Sequence, residues 1–306
     1  MLAILSILAP IFLVLFGGVL LRRRNLLKET YINTTNHLIY YLFLPALLFS
    51  KIAQSDFRTV FSLPPVLIMG GAILAVFLFS LALSRVLRFS LAVQGTFTND
   101  NFRSNFMYIG LPVCFYALGE RGLAAGSVLT AFAVPLVNIL SVLAFAASNK
   151  EFNLGRLMRE TFQNPLVIAA LLGILCSILQ ITLPDFLHQT MALLGQATLP
   201  LALLCIGASL KLKSLNNNLI ILAGSALIKL LLLPYCAYLM FRFLNLPLDV
   251  PAFSLMIMLA APSAEINYIL AEEMNGDPEL ANATIVLTTL LCPLTYLIWL
   301  SLLGIH

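Results

Sequence analysis

The chain has 306 residues, 61% of them hydrophobic and 10% charged, with a formal net charge of +4. A mean hydropathy of +1.00 exceeds what a soluble core of this size needs, which excludes a soluble globule and leaves a polytopic helical membrane protein. The small positive charge is carried by loop residues that set orientation, so the expected surroundings are the lipid bilayer and not nucleic acid.

Apolar runs between polar breaks predict ten spans, near 3–21, 31–52, 63–83, 91–118, 123–147, 165–180, 185–210, 219–243, 251–274 and 280–303. The first has no basic leader and no small-residue cleavage site, so it reads as an ordinary span and not a signal peptide. Basic residues gather in alternate loops. Arg22, Arg23, Arg24, Lys28, Arg85, Arg88, Lys150, Arg156, Arg159, Lys211 and Lys213 fall on one side, against Lys51, Arg58, Arg121 and Arg242 on the other. The positive-inside rule then puts both termini outside the cytoplasm. The longest hydrophilic connector, 148–160, divides the chain into halves at 1–147 and 161–306.

Landmarks recur between the halves. Pro10 and Gly18 in span 1 match Pro165 and Gly173 in span 6 at an offset of 155, as Leu44-Pro45 matches Leu199-Pro200. Val128-Leu-Thr130 and Pro135-Leu136 in span 5 return as Val286-Leu-Thr288 and Pro293-Leu294 in span 10, now at an offset of 158. Five spans per half is an odd number, so the second half must enter the membrane inverted. Ordinary proline kinks in unrelated helices are the competing account.

Two stretches carry the chemistry: Asn101-Phe-Arg-Ser-Asn105 in span 4 and Ala261-Pro-Ser-Ala-Glu-Ile-Asn267 in span 9. Ser104 and Pro262 are themselves 158 apart. At 1.5 Å per residue both lie roughly 16–18 Å deep, near the middle of a ~30 Å hydrocarbon layer. An ionisable residue there costs at least ~2.5 kcal/mol, so it usually marks a pathway or a binding site. Pro262 lacks the amide proton that an unbroken helix needs. Broken spans that cross here would bring two half-helix N-termini together as an anion site, with freed carbonyls available to a cation.

The candidate substrate contacts are Arg103, Ser104, Asn105, Pro262, Ser263 and Asn267. Glu265, Asn105 and Asp100 are the candidates for ion coupling, by a proton or by Na⁺ near Glu265, and Lys229 in span 8 is a supporting candidate. Alternatives stay open at each. Arg103 and Glu265 could form a structural ion pair that braces the crossing. Asn105 and Asn267 could satisfy orphaned backbone groups, and Lys229 could pack against carbonyls. The five cysteines lie in apolar runs without CxxC or Cys/His spacing, so no metal or cofactor is expected. His37 and Asn36 fit a membrane interface, and Glu272, Glu273, Asp277 and Glu279 fit a solvated cap. No P-loop, GxSxG or HExxH motif supports ATP-driven transport or enzymatic hydrolysis.

Three stretches resemble the auxin efflux carrier family. They are Asn36-His-Leu-Ile-Tyr-Tyr-Leu-Phe-Leu-Pro-Ala-Leu-Leu-Phe49, Arg103-Ser-Asn-Phe-Met-Tyr-Ile-Gly-Leu-Pro112 and Ala261-Pro-Ser-Ala-Glu-Ile-Asn-Tyr-Ile-Leu-Ala271. The second is similar to the family's R-x-N-x-x-x-x-G-x-P pattern. The resemblance implies an all-α fold of ten transmembrane helices in two inverted five-helix repeats, related to the bile-acid/sodium symporters. Spans 1, 2, 6 and 7 would form a scaffold, and spans 3–5 and 8–10 a transport domain with broken, crossing spans 4 and 9. It implies a secondary transporter of small organic anions that forms a homodimer, and with so short a connector a bacterial inner-membrane member. Asn105 and Pro262 match the family's crossover positions. Ser104 departs from the plant carriers' proline, which separates this chain from auxin specificity. Glu265 stands where sodium-coupled relatives place a carboxylate. A sodium-coupled symporter of larger amphipathic anions is the first alternative, and an anion-binding receptor without transport the second.

Overall fold

A bilayer offers backbone groups no water to pair with, and the chain meets that demand with helices. The computed structural model describes residues 2–56, 60–146, 163–181, 183–210 and 219–305. The connector at 148–160 lies outside these residues, as do Arg58, Lys211 and Lys213. The helices are α1 (Leu2–Arg23), α2 (Glu29–Ala53), α3 (Leu63–Val86), α4 (Leu91–Phe102), α5 (Phe106–Phe145), α6 (Pro165–Ile178), α7 (Asp185–Ser209), α8 (Leu219–Phe243), α9 (Val250–Leu259), α10 (Ile266–Glu273) and α11 (Pro278–Leu302). Among the described residues no strand forms, and one isolated antiparallel bridge joins Ser104 to Ser263.

Seven helices are long and apolar enough to cross a membrane: α1, α2, α3, α5, α7, α8 and α11. The remaining expected spans take a different form. α6 is apolar but has only 14 residues, and α9 has ten. Span 4 stops at Phe102 and resumes at Phe106, while span 9 stops at Leu259 and resumes at Ile266. α5 covers both the second part of span 4 and span 5, with a break at Gly119 (φ 65°, ψ −157°). Such a backbone needs glycine, and it falls in the expected gap between 118 and 123.

Local chemistry sets the ends. Ser90, Asn164, Asp249 and Asp277 accept from backbone amides in the first turns of α4, α6, α9 and α11. Asn25, Arg88, Gln180, Asn245 and Asn275 each turn left-handed two residues past a helix end. Single π-turns at Ile39–Phe43, Phe106–Gly110 and Ile228–Leu232 directly precede Leu44-Pro45, Leu111-Pro112 and Leu233-Pro234. A proline cannot donate to the carbonyl four residues back, and the widened turn accommodates that loss. For Pro234 that carbonyl is Leu230, which accepts from the Trp299 indole at 2.9 Å.

α1 packs along α7, and α2 packs on α6 and α7, whereas α3, α4, α5, α8, α9, α10 and α11 pack mainly on one another. Without a hydrophobic drive between helices in lipid, small residues set the close approaches. A Cβ on Gly207 would lie 1.8 Å from the Leu15 carbonyl oxygen, and one on Gly18 would lie 2.2 Å from that of Leu204. Gly173 approaches the Phe49 carbonyl of α2 in the same manner. The largest buried apolar cluster includes Val76, Phe97, Met256 and Trp299, and a second one joins α2, α5 and α7 through Ile39, Leu44, Leu111 and Cys205.

Candidate functional site

The two breaks lie side by side. Asn105 N donates to the Pro262 carbonyl at 2.8 Å, and Ala264 N donates to the Arg103 carbonyl at 3.1 Å. These two bonds form the antiparallel bridge, whose register sets Ser104 opposite Ser263, one residue from the Ser104–Pro262 alignment expected from spacing. Pro262 serves as an acceptor, a role open to a residue with no amide proton. Side chains tie down the remaining backbone. Ser104 Oγ donates to the Leu259 carbonyl (3.3 Å), Ser263 Oγ to the Asp100 carbonyl (2.6 Å), and Ser263 N to Thr288 Oγ1 (3.2 Å). α5 and α10 start immediately beyond the breaks, so their positive dipole ends lie at the crossing.

Arg103 leaves α4 at this point. Its Nη1 donates to Ser141 Oγ at 2.9 Å and its Nη2 to Asn138 Oδ1 at 2.8 Å, both on α5. Those bonds use two of five guanidinium donors. Tyr40 of α2 stands within electrostatic reach. The Arg103–Glu265 ion pair does not form: among the described residues the ion pairs are Arg22–Glu29 and Lys51–Glu120. Glu265 instead precedes α10, with one carboxylate oxygen buried and unpartnered, and acts on Tyr108 and on Cys205 of α7. Arg103 thus has Tyr40 of α2 in electrostatic reach, and Glu265 has Cys205 of α7.

Lys229 is fully buried, and its ammonium donates to the carbonyls of Leu259 (2.9 Å) and Ala261 (2.7 Å). The carbonyls freed at the end of α9 are thus met by a tethered cation. The two asparagines differ. Asn105 Oδ1 accepts from Tyr108 N at 3.1 Å, capping α5, whereas both amide atoms of Asn267 are buried without a partner. Asp100 is fully buried on α4 and faces Asn267 and Thr284.

A cavity of about 480 Å³ lies away from the crossing, along Glu29, Thr30, Asn33, Thr34 and His37 on one face of α2. His37 stacks on Tyr41 at 6.0 Å, next to Tyr40. Sequence reasoning did not pick Tyr40, Tyr108, Asn138, Ser141, Thr284 or Thr288. A polar residue recurring at i and i+3 in an apolar span, as Asn138 and Ser141 do, was the available signal.

Two helices broken mid-course, crossing through backbone bonds and carrying ionisable residues at the break, are an arrangement found in membrane transporters. The family model described as "Membrane transport protein" (Mem_trans) matches residues 3–300. The chain belongs to that family of auxin-efflux-carrier-like membrane transporters, which are not enzymes. A comparison with curated proteins gives no match.

Proposed function

We propose that the chain is a secondary active transporter of small organic anions, carboxylates foremost, working by alternating access. The observation that carries this reading is the Arg103 guanidinium, held by Ser141 and Asn138 beside the bridged breaks with Tyr40 of α2 in electrostatic reach. A planar fork with donors to spare suits a carboxylate. The N-termini of α5, capped by Asn105, and of α10, preceded by Glu265, add their positive dipole ends beside Arg103. Glu265 would follow the substrate charge as a coupling carboxylate. Lys229 supports this reading over a sodium symporter with its ion on the α9 carbonyls, because an ammonium already binds them.

In this reading ten spans form two inverted five-helix repeats. Helices α1, α2, α6 and α7 are the scaffold, and the rest move against it. The internal repeat is supported by paired contacts: Gly18 and Gly173 are 155 residues apart, as are Leu204 and Phe49, the carbonyls they approach. Thr198 Oγ1 donates to the Phe43 carbonyl across the same 155-residue interval, as expected near a pseudo-twofold axis. Both termini lie outside the cytoplasm of a bacterial inner membrane.

The test is uptake of labelled mono- and dicarboxylates into proteoliposomes under imposed sodium or proton gradients. Accumulation of one carboxylate class is expected, with Arg103→Ala losing anion binding far more than expression. Ligand binding without flux would refute transport, and equal losses of binding and expression would make Arg103 structural.

A further inference from the structure

The Asp100 carboxylate is fully buried on α4, and its burial has no explanation in anion binding. Asp100, Asn267 and Thr284 are each 0% exposed. Asn267 and Thr284 lie within hydrogen-bonding reach of the carboxylate and lower the cost of its charge, but none of the Asp100 oxygens, the Asn267 amide atoms or Thr284 Oγ1 makes a bond of normal geometry. Buried polar atoms are almost always paired, and an uncompensated buried carboxylate is the most costly exception.

Among the described residues no protein cation serves this carboxylate. α4 packs against α3, α5, α8, α10 and α11. The Arg103 guanidinium is bound to α5, and Lys229 of α8 to the Leu259 and Ala261 carbonyls. Of the titratable groups on these helices, Asp277 at the start of α11 acts on Asp100, and its charge has the same sign. The chemistry is therefore one-sided: oxygens from three helices around a negative charge, with the positive charge to come from outside the chain.

We infer that Asp100, Asn267 and Thr284 form a binding site for a small monovalent cation, a sodium ion or a proton, separate from Glu265. Its position gives it leverage on the crossing. The Ser263 hydroxyl grips the Asp100 carbonyl, and Thr288, one turn beyond Thr284 on α11, accepts from Ser263 N. Asn267 belongs to the first turn of α10. Drawing these groups onto one cation pulls α4, α10 and α11 together around the second break. The inference deepens the transport reading by locating a coupling ion, but its test needs no substrate.

Thermal unfolding of the detergent-purified protein is followed in sodium chloride and in choline chloride at equal ionic strength, at acidic and alkaline pH, with no organic anion present. Wild type and Glu265→Gln should be stabilised either by sodium or by acid, and Asp100→Asn should lose that response. Asp100→Asn keeps the shape of the side chain and removes the charge, so in choline at alkaline pH it should melt at or above wild type. If the ion is sodium, Thr284→Val should lower its apparent affinity by roughly tenfold or more. A response to acid alone, absent in Asp100→Asn, identifies a proton. Retention of the response in Asp100→Asn, its loss in Glu265→Gln alone, or its absence in wild type would each overturn the inference. None of these outcomes bears on anion flux, which is measured separately.

Discussion

Replacing Gly207 by alanine tests the close crossing of α1 and α7. The added methyl would sit 1.8 Å from the Leu15 carbonyl oxygen and 3.2 Å from Val19 N. Ordinary contact begins near 3.4 Å, so the two backbones must part by about 1.6 Å at this point. The obstacle is a main-chain atom inside a hydrogen-bonded helix and cannot swing away as a side chain can. Overpacking of this kind costs about 1–3 kcal/mol, with the upper end expected against rigid backbone. For a chain of this length the melting temperature should fall by roughly 2–5 °C. Gly224→Ala is the control. Nothing lies within 4 Å of its added methyl, so better helix propensity should leave it at or up to about 1 kcal/mol above wild type. Gly18→Ala meets the Leu204 carbonyl in the same seam, so Gly18→Ala and Gly207→Ala together should cost less than the sum of their single effects. Thermal unfolding in detergent reads all four proteins. Gly207→Ala melting with wild type, or full additivity of the pair, would refute a backbone-to-backbone seam.

Two further outcomes follow from other groups. Lys229→Met strips two buried carbonyls of a charged donor and should destabilise the protein by about 2–4 kcal/mol, the lost bonds being partly offset by no longer burying an ammonium. An unchanged melting temperature would show that the carbonyls find other partners. Gly119→Ala places a side chain where φ is +65° with open space around it, so any loss is purely backbone strain of about 1–3 kcal/mol. Equal stability in a denaturant titration would mean that the turn relaxes at no cost.

The breaks were legible because Pro262 and the polar run around Arg103 contradict a continuous apolar helix, and those are local signals. The α5 break was visible in the same way, as a Gly-Glu-Arg-Gly interruption at 119–122. The register of the bridge was not legible. Matching landmarks along the chain gave Ser104–Pro262, but backbone pairing follows which amide and carbonyl face each other, and proline can offer only the carbonyl. The partners of Arg103 were hidden for a related reason. Charge complementarity favours Glu265 as the neighbour, whereas the chain leaving α4 aims the guanidinium at neutral Asn138 and Ser141 on the next helix. The ionisable residues announced themselves through rarity. Thr284 and Thr288 did not, because a threonine bonding its own helix is common in any span.

The π-turn in α2 alters how that helix is laid out. Before it, Thr30, Asn33 and His37 form a polar line. In an unbroken helix that line would run on through Tyr41 to Leu44 and Leu48. Both leucines are 0% exposed, whereas Tyr41 and Leu42 are exposed and Phe43, Pro45 and Phe49 are half-buried. One additional residue in the turn rotates everything after it by about 100°, the angle one residue subtends. A single helix thereby presents one stripe outward before the turn and a different stripe to its neighbours after it. Removing one residue from Ile39–Phe43 would turn Leu44 and Leu48 outward, so the length of this stretch is under tighter constraint than its composition. A one-codon deletion there would be felt along the whole second half of the helix, while a conservative substitution would pass almost unnoticed.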